Sequence, residues 1–113
     1  MPYHYGTKKP ETAEQLMRSR YSAYFFRRVD YIVDTWHPDK RAKGLRASLK
    51  ESIHDANWKF LNILATSKGQ KDDKTGKVEF CADYYVGSEK YELEECSRFR
   101  KHKGAWKYMD DKG

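Results

Sequence analysis

The sequence changes its hydrophobic period once, at Asn57, and that switch constrains the fold more than any other feature. Before it, apolar residues recur at three- and four-residue spacing; after it, they alternate or run in short β-rich stretches. Helices first and a strand meander after predicts an α+β domain, with three N-terminal helices packed on one face of a four-stranded antiparallel sheet. At 113 residues and without an internal repeat, the chain fits one domain with a small core. Residues 1–11 are polar and read as a lead-in segment, and residues 12–113 as the domain.

The first helix is predicted from Thr12 to about Phe26. Thr12 with Gln15 forms a capping box, and Ala13, Leu16, Met17, Tyr21, Tyr24 and Phe25 share one face. Arg20 falls inside that apolar stripe, and an arginine on a buried face needs a partner. Asp30 is expected to cap a second helix, with Ile32, Val33 and Trp36 facing inward, that stops at His37 before Pro38. Residues 38–44 read as a basic loop. A third helix is predicted over about Arg46 to Asp55, from the spacing of Leu45, Leu49, Ile53 and Ala56.

Strands are predicted at Trp58–Thr66, Val78–Tyr85, Tyr91–Arg100 and Ala105–Met109. Val78, Phe80, Ala82 and Tyr84 alternate with Glu79, Cys81 and Asp83, so one face is apolar. A hairpin centred between Ser88 and Glu89 sets Tyr84 opposite Leu93, Ala82 opposite Glu95, Phe80 opposite Ser97 and Cys81 opposite Cys96. The next hairpin then pairs Phe99 with Trp106 and Ser97 with Tyr108. This register puts Glu95 and Ser97 on the core side, and a one-residue slip would reverse every face.

A carboxylate on the core side has three fates. Glu95 pairs with an arginine, foremost Arg20; or it lines a wet pocket; or it stays protonated in an apolar cavity as an acid or base. His37 has two readings: a general base at the mouth of a cavity near Glu95 or Tyr24, or a helix-terminal side chain bonding backbone carbonyls. Tyr21, Tyr24, Trp36, Trp58, Phe80, Trp106 and Tyr108 either line a cavity or fill the core.

Several classes are disfavoured. No nucleophile elbow, phosphate-cradling glycine loop or HExxH occurs, and His4, His54 and His102 lack ligand spacing, so no metal and no cofactor is expected. Cys81 and Cys96 are expected as thiols rather than a disulfide. The formal charge of +6 suits a polyanion, yet the basic residues are spread along the whole chain, which leaves nucleic-acid binding the weakest reading. No apolar run approaches a membrane span and no export signal stands at the N-terminus, so a cytoplasmic location without membrane contact is expected.

The run Thr12-Ala13-Glu14-Gln15-Leu16-Met17-Arg18-Ser19-Arg20-Tyr21-Ser22-Ala23-Tyr24, with Asp30-Tyr31-Ile32 and Thr35-Trp36-His37-Pro38, resembles the bacterial YchJ family. Trp58 with Leu61, Val78-Glu79-Phe80, Glu95-x-Ser97-Arg98-Phe99 and Gly104-x-Trp106-x-Tyr108 agree with it. The resemblance implies a nuclear-transport-factor-two-like, cystatin-like cone, a curved antiparallel sheet wrapping helices around a cavity. It brings no catalytic residues, because the family's biochemical role is uncharacterised. Many YchJ-like proteins carry zinc-binding SEC-C motifs at one or both ends. Residues 1–11 hold no cysteine and the sequence ends at Gly113, so zinc-dependent docking is not expected of this segment.

The leading expectation is therefore a YchJ-like domain binding a small apolar ligand, or a protein, in or around the cone. The alternative is a cofactor-free acid–base enzyme of isomerase or dehydratase type using Glu95, with His37 or Tyr24. A monomer or weak dimer is expected, since Glu79, Asp83, Glu92 and Glu94 on the outer sheet face oppose a dry interface.

Overall fold

The computed structural model describes residues 9–111, so most of the lead-in segment lies outside the described residues. Its helices are α1 (Ala13–Phe25), α2 (Val29–Asp34) and α3 (Leu45–Ser52), with a 3₁₀ turn at Pro38–Lys40 in the basic loop. The strands are β1 (Asn57–Lys68), β2 (Thr75–Val86), β3 (Glu89–His102) and β4 (Ala105–Asp110), each longer than its apolar core suggested. They form one open antiparallel sheet in the order β1-β2-β3-β4, with the helices on one face, as the change of period predicted.

Thr12 caps α1, its hydroxyl accepting from the Gln15 N–H at 3.1 Å. The reciprocal half of the box differs: the Gln15 side chain accepts from the Glu11 N–H at 2.7 Å, one residue further out. Asp30 does not cap α2, which starts a residue earlier at Val29; it lies in the first turn and pairs with Arg46 of α3. Leu16, Met17, Val78, Phe80, Ala82, Phe99 and Trp106 form the main core between α1 and the sheet. Ala23, Ile32 and Ile53 join the three helices in a second cluster.

Both hairpin registers differ from expectation by two residues. The β2–β3 turn is the two-residue Gly87-Ser88, with Val86 opposite Glu89. Gly87 takes the left-handed conformation, at φ 63°, which suits such a tight turn. Tyr84 therefore faces Tyr91, Ala82 faces Leu93, Phe80 faces Glu95, and Cys81 faces Glu94 instead of Cys96. In the last hairpin Phe99 faces Tyr108 and Lys101 faces Trp106. A shift by two preserves every face, because side chains alternate with period two.

Two bulges in β1, at Lys59 and Leu64, interrupt its register with β2 and bend that edge. The opposite edge is covered. The chain leaving α2 runs parallel to β4, with the His37 N–H donating to Tyr108 O at 2.8 Å and the Tyr108 N–H to Thr35 O at 2.7 Å. Those two bonds bring Trp36 against Tyr108, and so set one wall of the site described next.

Candidate functional site

Between α1, α2 and the inner face of the sheet lies a cavity of about 240 Å³. Its walls come from Arg20, Tyr21 and Tyr24 on α1, Trp36 beyond α2, Trp58 on β1, Phe80 on β2, Glu95 and Ser97 on β3, and Tyr108 on β4. Met17 and Leu93 complete it. Both carried a usable signal, one helical turn from Arg20 and one rung from Glu95 on the same strand face.

Aromatic rings make most of the wall. Trp58 contacts Tyr21 edge-on at 5.9 Å between centroids and Tyr84 at 4.8 Å. Tyr108 meets Trp36 edge-to-face at 4.9 Å. Such contacts fix ring orientations and contribute about 0.5–1.5 kcal/mol each beyond area burial.

Arg20 is 4% exposed, and among the described residues it is in no ion pair with a carboxylate. One guanidinium nitrogen donates to Ile32 O at 2.8 Å and to Thr35 Oγ1 at 2.6 Å. The guanidinium carbon lies 4.6 Å from the Tyr108 ring centroid and 5.2 Å from that of Trp36. Burial lowers its pKa from the usual guanidinium range, while Tyr24 and Tyr108 oppose that shift. Arginine nevertheless stays charged in proteins, so the cavity has a cation in its wall. Burial raises the pKa of the Tyr24 and Tyr108 hydroxyls above the ordinary phenol, Arg20 opposing, so both remain neutral donors.

The expected Arg20–Glu95 ion pair does not form. Among the described residues Glu95 lies within ion-pair distance of no cation, and Arg18 is engaged with Glu14 at 3.1 Å on the surface. The physical reason is register. Glu95 stands opposite Phe80 rather than Ala82, while α2 and Thr35 supply acceptors closer to the guanidinium. Glu95 is half-buried, and desolvation, helped by Asp111, raises its pKa from the usual carboxyl value. One more polar group is unusual: Trp36 Nε1 is buried without a hydrogen-bond partner.

Two sequence candidates lie elsewhere. His37 is buried at the β4 edge, its Nδ1 accepting from the Asp39 N–H at 3.1 Å and its ring edge-on to His102 at 5.0 Å. It caps the 3₁₀ turn as an acceptor, so it is neither the base near Glu95 nor a donor to helix carbonyls. Trp106 belongs to the main core, its indole N–H donating to Glu11 O at 3.0 Å.

Among the described residues no cluster of histidine, cysteine and carboxylate side chains could hold a metal ion, and both cysteines are free thiols. No described helix is long and apolar enough to cross a membrane.

Comparison with known proteins places this architecture among relatives. A family described as "YchJ, middle NTF2-like domain" matches residues 12–111. A UPF0225 protein of Pectobacterium carotovorum is 46% identical over 98 residues, 84% of this chain and 63% of the relative. One from Photorhabdus laumondii is 39% identical over 111 residues, covering 96% of this chain and 69% of the relative. The chain thus spans about two thirds of the length of these relatives. Among solved structures, a SEC-C motif containing protein from Rhodopseudomonas palustris superposes with a TM-score of 0.85 at 31% identity, over 96% of this chain and 84% of that one. An LEH-like epoxide hydrolase of M. tuberculosis, 14% identical with a TM-score of 0.61 over 92% of this chain and 83% of that one, shares the fold alone.

Proposed function

We propose, for a chain that belongs to the YchJ family through its middle NTF2-like domain, that the cavity binds a small, largely apolar molecule with one polar end. The observation that carries this reading is the pairing of aromatic walls with one buried cation, Arg20, that among the described residues has no carboxylate partner. Ligand sites are commonly apolar hollows with a few convergent polar groups. The volume equals that of about eight waters at liquid density, which suits a single-ring compound. A carbonyl or carboxylate oxygen beside Arg20 would gain a charge-assisted hydrogen bond in a dry setting, with the ring against Tyr21, Trp58 and Phe80.

A second reading rests on Glu95. A carboxyl group of raised pKa, facing aromatic walls with no cation beside it, suits proton transfer to or from such a ligand. Tyr24 is then the neighbouring donor; His37 does not line the cavity.

Both readings are tested with a panel of single-ring ketones and carboxylates, followed by the indole NMR signals of Trp36 and Trp58. Binding is expected to shift both signals, and Phe80→Trp, which fills the cavity, should abolish the shift while the fold persists. Absence of any shift at millimolar compound overturns the ligand reading. Turnover of a bound ketone, lost in Glu95→Gln with binding retained, supports the second.

A further inference from the structure

A larger groove, of about 950 Å³, opens at the far end of the sheet, where the β1–β2 connection meets the β3–β4 hairpin. Its walls carry Lys68, Lys74, Lys77, Arg98, Arg100 and Lys101 and, among the described residues, no carboxylate side chain. These residues are scattered between positions 68 and 101 of the sequence; antiparallel pairing gathers them. Lys77 faces Arg98, and Thr75 faces Arg100 on the next rung. The Lys101 N–H donates to Lys74 O at 2.9 Å, which pins the loop carrying Lys74 to β3.

The charge there is largely uncompensated. Arg98 is engaged with Asp110, and the Lys101 ammonium with Lys71 O. Among the described residues Lys68, Lys74, Lys77 and Arg100 are in no ion pair, and all four are exposed. On the outer face of the sheet, beyond Lys77 and Arg98, the sign reverses: Asp83 faces Glu92, Cys81 faces Glu94, and Glu79 faces Cys96. Two carboxylates, Asp72 and Asp73, lie in the β1–β2 connection outside the lining, and Asp73 is tied to the Gln70 N–H at 3.0 Å.

We propose that this groove binds the phosphodiester backbone of a duplex nucleic acid, through charge and without reading bases. A concave surface with four unpaired cations on separate elements matches a row of phosphates, and its acidic neighbour confines a polyanion to that end of the sheet. The only aromatic lining residue, Phe99, is 1% exposed, so no ring is available for stacking unpaired bases. Its other large apolar lining side chain, Met109, is half-buried, and none of the exposed large hydrophobics lines the hollow, unlike a surface that enters lipid.

The test is fluorescence anisotropy of the 113-residue chain with short mixed-sequence RNA and DNA duplexes, at several salt concentrations. Neutralising four phosphates predicts a log–log salt slope of about −3 to −4, so a roughly fourfold rise in salt weakens binding on the order of a hundredfold. Lys77→Ala and Arg100→Ala should each lower the slope by about one. Lys50→Ala on α3 should leave it unchanged. RNA and DNA arms compare A-form with B-form spacing, and binding of either with the expected variant effects supports the proposal. It is overturned by no binding at low salt, by slopes indifferent to Lys77 and Arg100, by a preference for single strands, or by tighter binding to phosphatidylserine vesicles than to duplexes. The cavity experiment is independent, so either reading can fail alone.

Discussion

The Arg20 guanidinium lies 4.6 Å from the ring centroid of Tyr108, and this contact joins the first helix to the last strand. Thr35 completes the link: its hydroxyl accepts from Arg20 at 2.6 Å and its carbonyl from the Tyr108 N–H at 2.7 Å. The arginine is thus both a structural tie and, among the described residues, the only cation in the cavity wall.

Packing and charge at Arg20 are separable. Arg20→Ala removes the stem, the ring contacts and the donors together, and should cost about 3–5 kcal/mol. Arg20→Met keeps most of the volume and removes a buried charge that no described carboxylate balances. It loses the bonds to Ile32 O and Thr35 Oγ1, so a cost of about 1–3 kcal/mol is expected in urea denaturation. Equal losses in the two variants would mean that the hydrogen bonds, not the packing, hold the helix to the strand.

Glu95 sets an opposite pH dependence from an ordinary salt-bridged carboxylate. Its folded pKa is raised above the usual 4.5, so the folded state holds the proton more tightly than the unfolded chain. The stability it contributes is complete below the unfolded pKa and is lost as pH rises through the folded one. Glu95→Gln should remove that decline and unfold at or above the wild-type temperature at neutral pH. Differential stability curves of the two proteins across the acid to neutral range check it; a variant less stable throughout would indicate that the carboxylate is stabilised by a partner.

The cavity's membership was legible because it depends on side-chain faces, and faces follow from period alone. Arg20 stood in the helical stripe, and Phe80, Glu95 and Ser97 kept the inner face although both hairpin registers moved by two residues. The registers themselves turned on which two residues occupy the turn, and Gly87 in the left-handed region decided it. Arg20's acceptors were hidden for a different reason: a backbone carbonyl at Ile32 exists in any sequence, and only the approach of α2 selects it. His37 was misplaced because it follows a helix, where period no longer applies and pairing with β4 sets its direction.

His37 titrates with the opposite sign to Glu95. Burial, helped by His102, Arg100 and Arg41, depresses its pKa below 6.5, Asp39 opposing, and the neutral ring leaves Nδ1 free to accept the Asp39 N–H. Its contribution is present above the unfolded pKa and is lost as pH falls through the folded value. His37→Asn keeps an acceptor at the cap and removes the titration, so the acid limb below pH 6.5 should flatten in thermal melts. An unchanged limb would assign the loss to carboxylates instead.

Gly76 is constrained by space rather than by backbone angle. A Cβ there would sit 2.4 Å from Gly69 Cα and 2.8 Å from Gly69 N, both backbone atoms of the facing strand end. That crowding exists because the first turn of α1 docks on the same point: the Ala13 N–H donates to Gly69 O at 2.8 Å. Gly76→Ala must therefore push the β1–β2 end away from α1, at a cost of about 1–3 kcal/mol. Gly87→Ala is the control, because nothing lies within 4 Å of its Cβ and only its φ of +63° is unfavourable; about 1 kcal/mol is expected. The decisive readout is the Ala13 amide in hydrogen exchange. Loss of its protection in Gly76→Ala but not in Gly87→Ala would locate the strain at the helix–hairpin contact, and equal behaviour would show that the hairpin end yields without disturbing the helix.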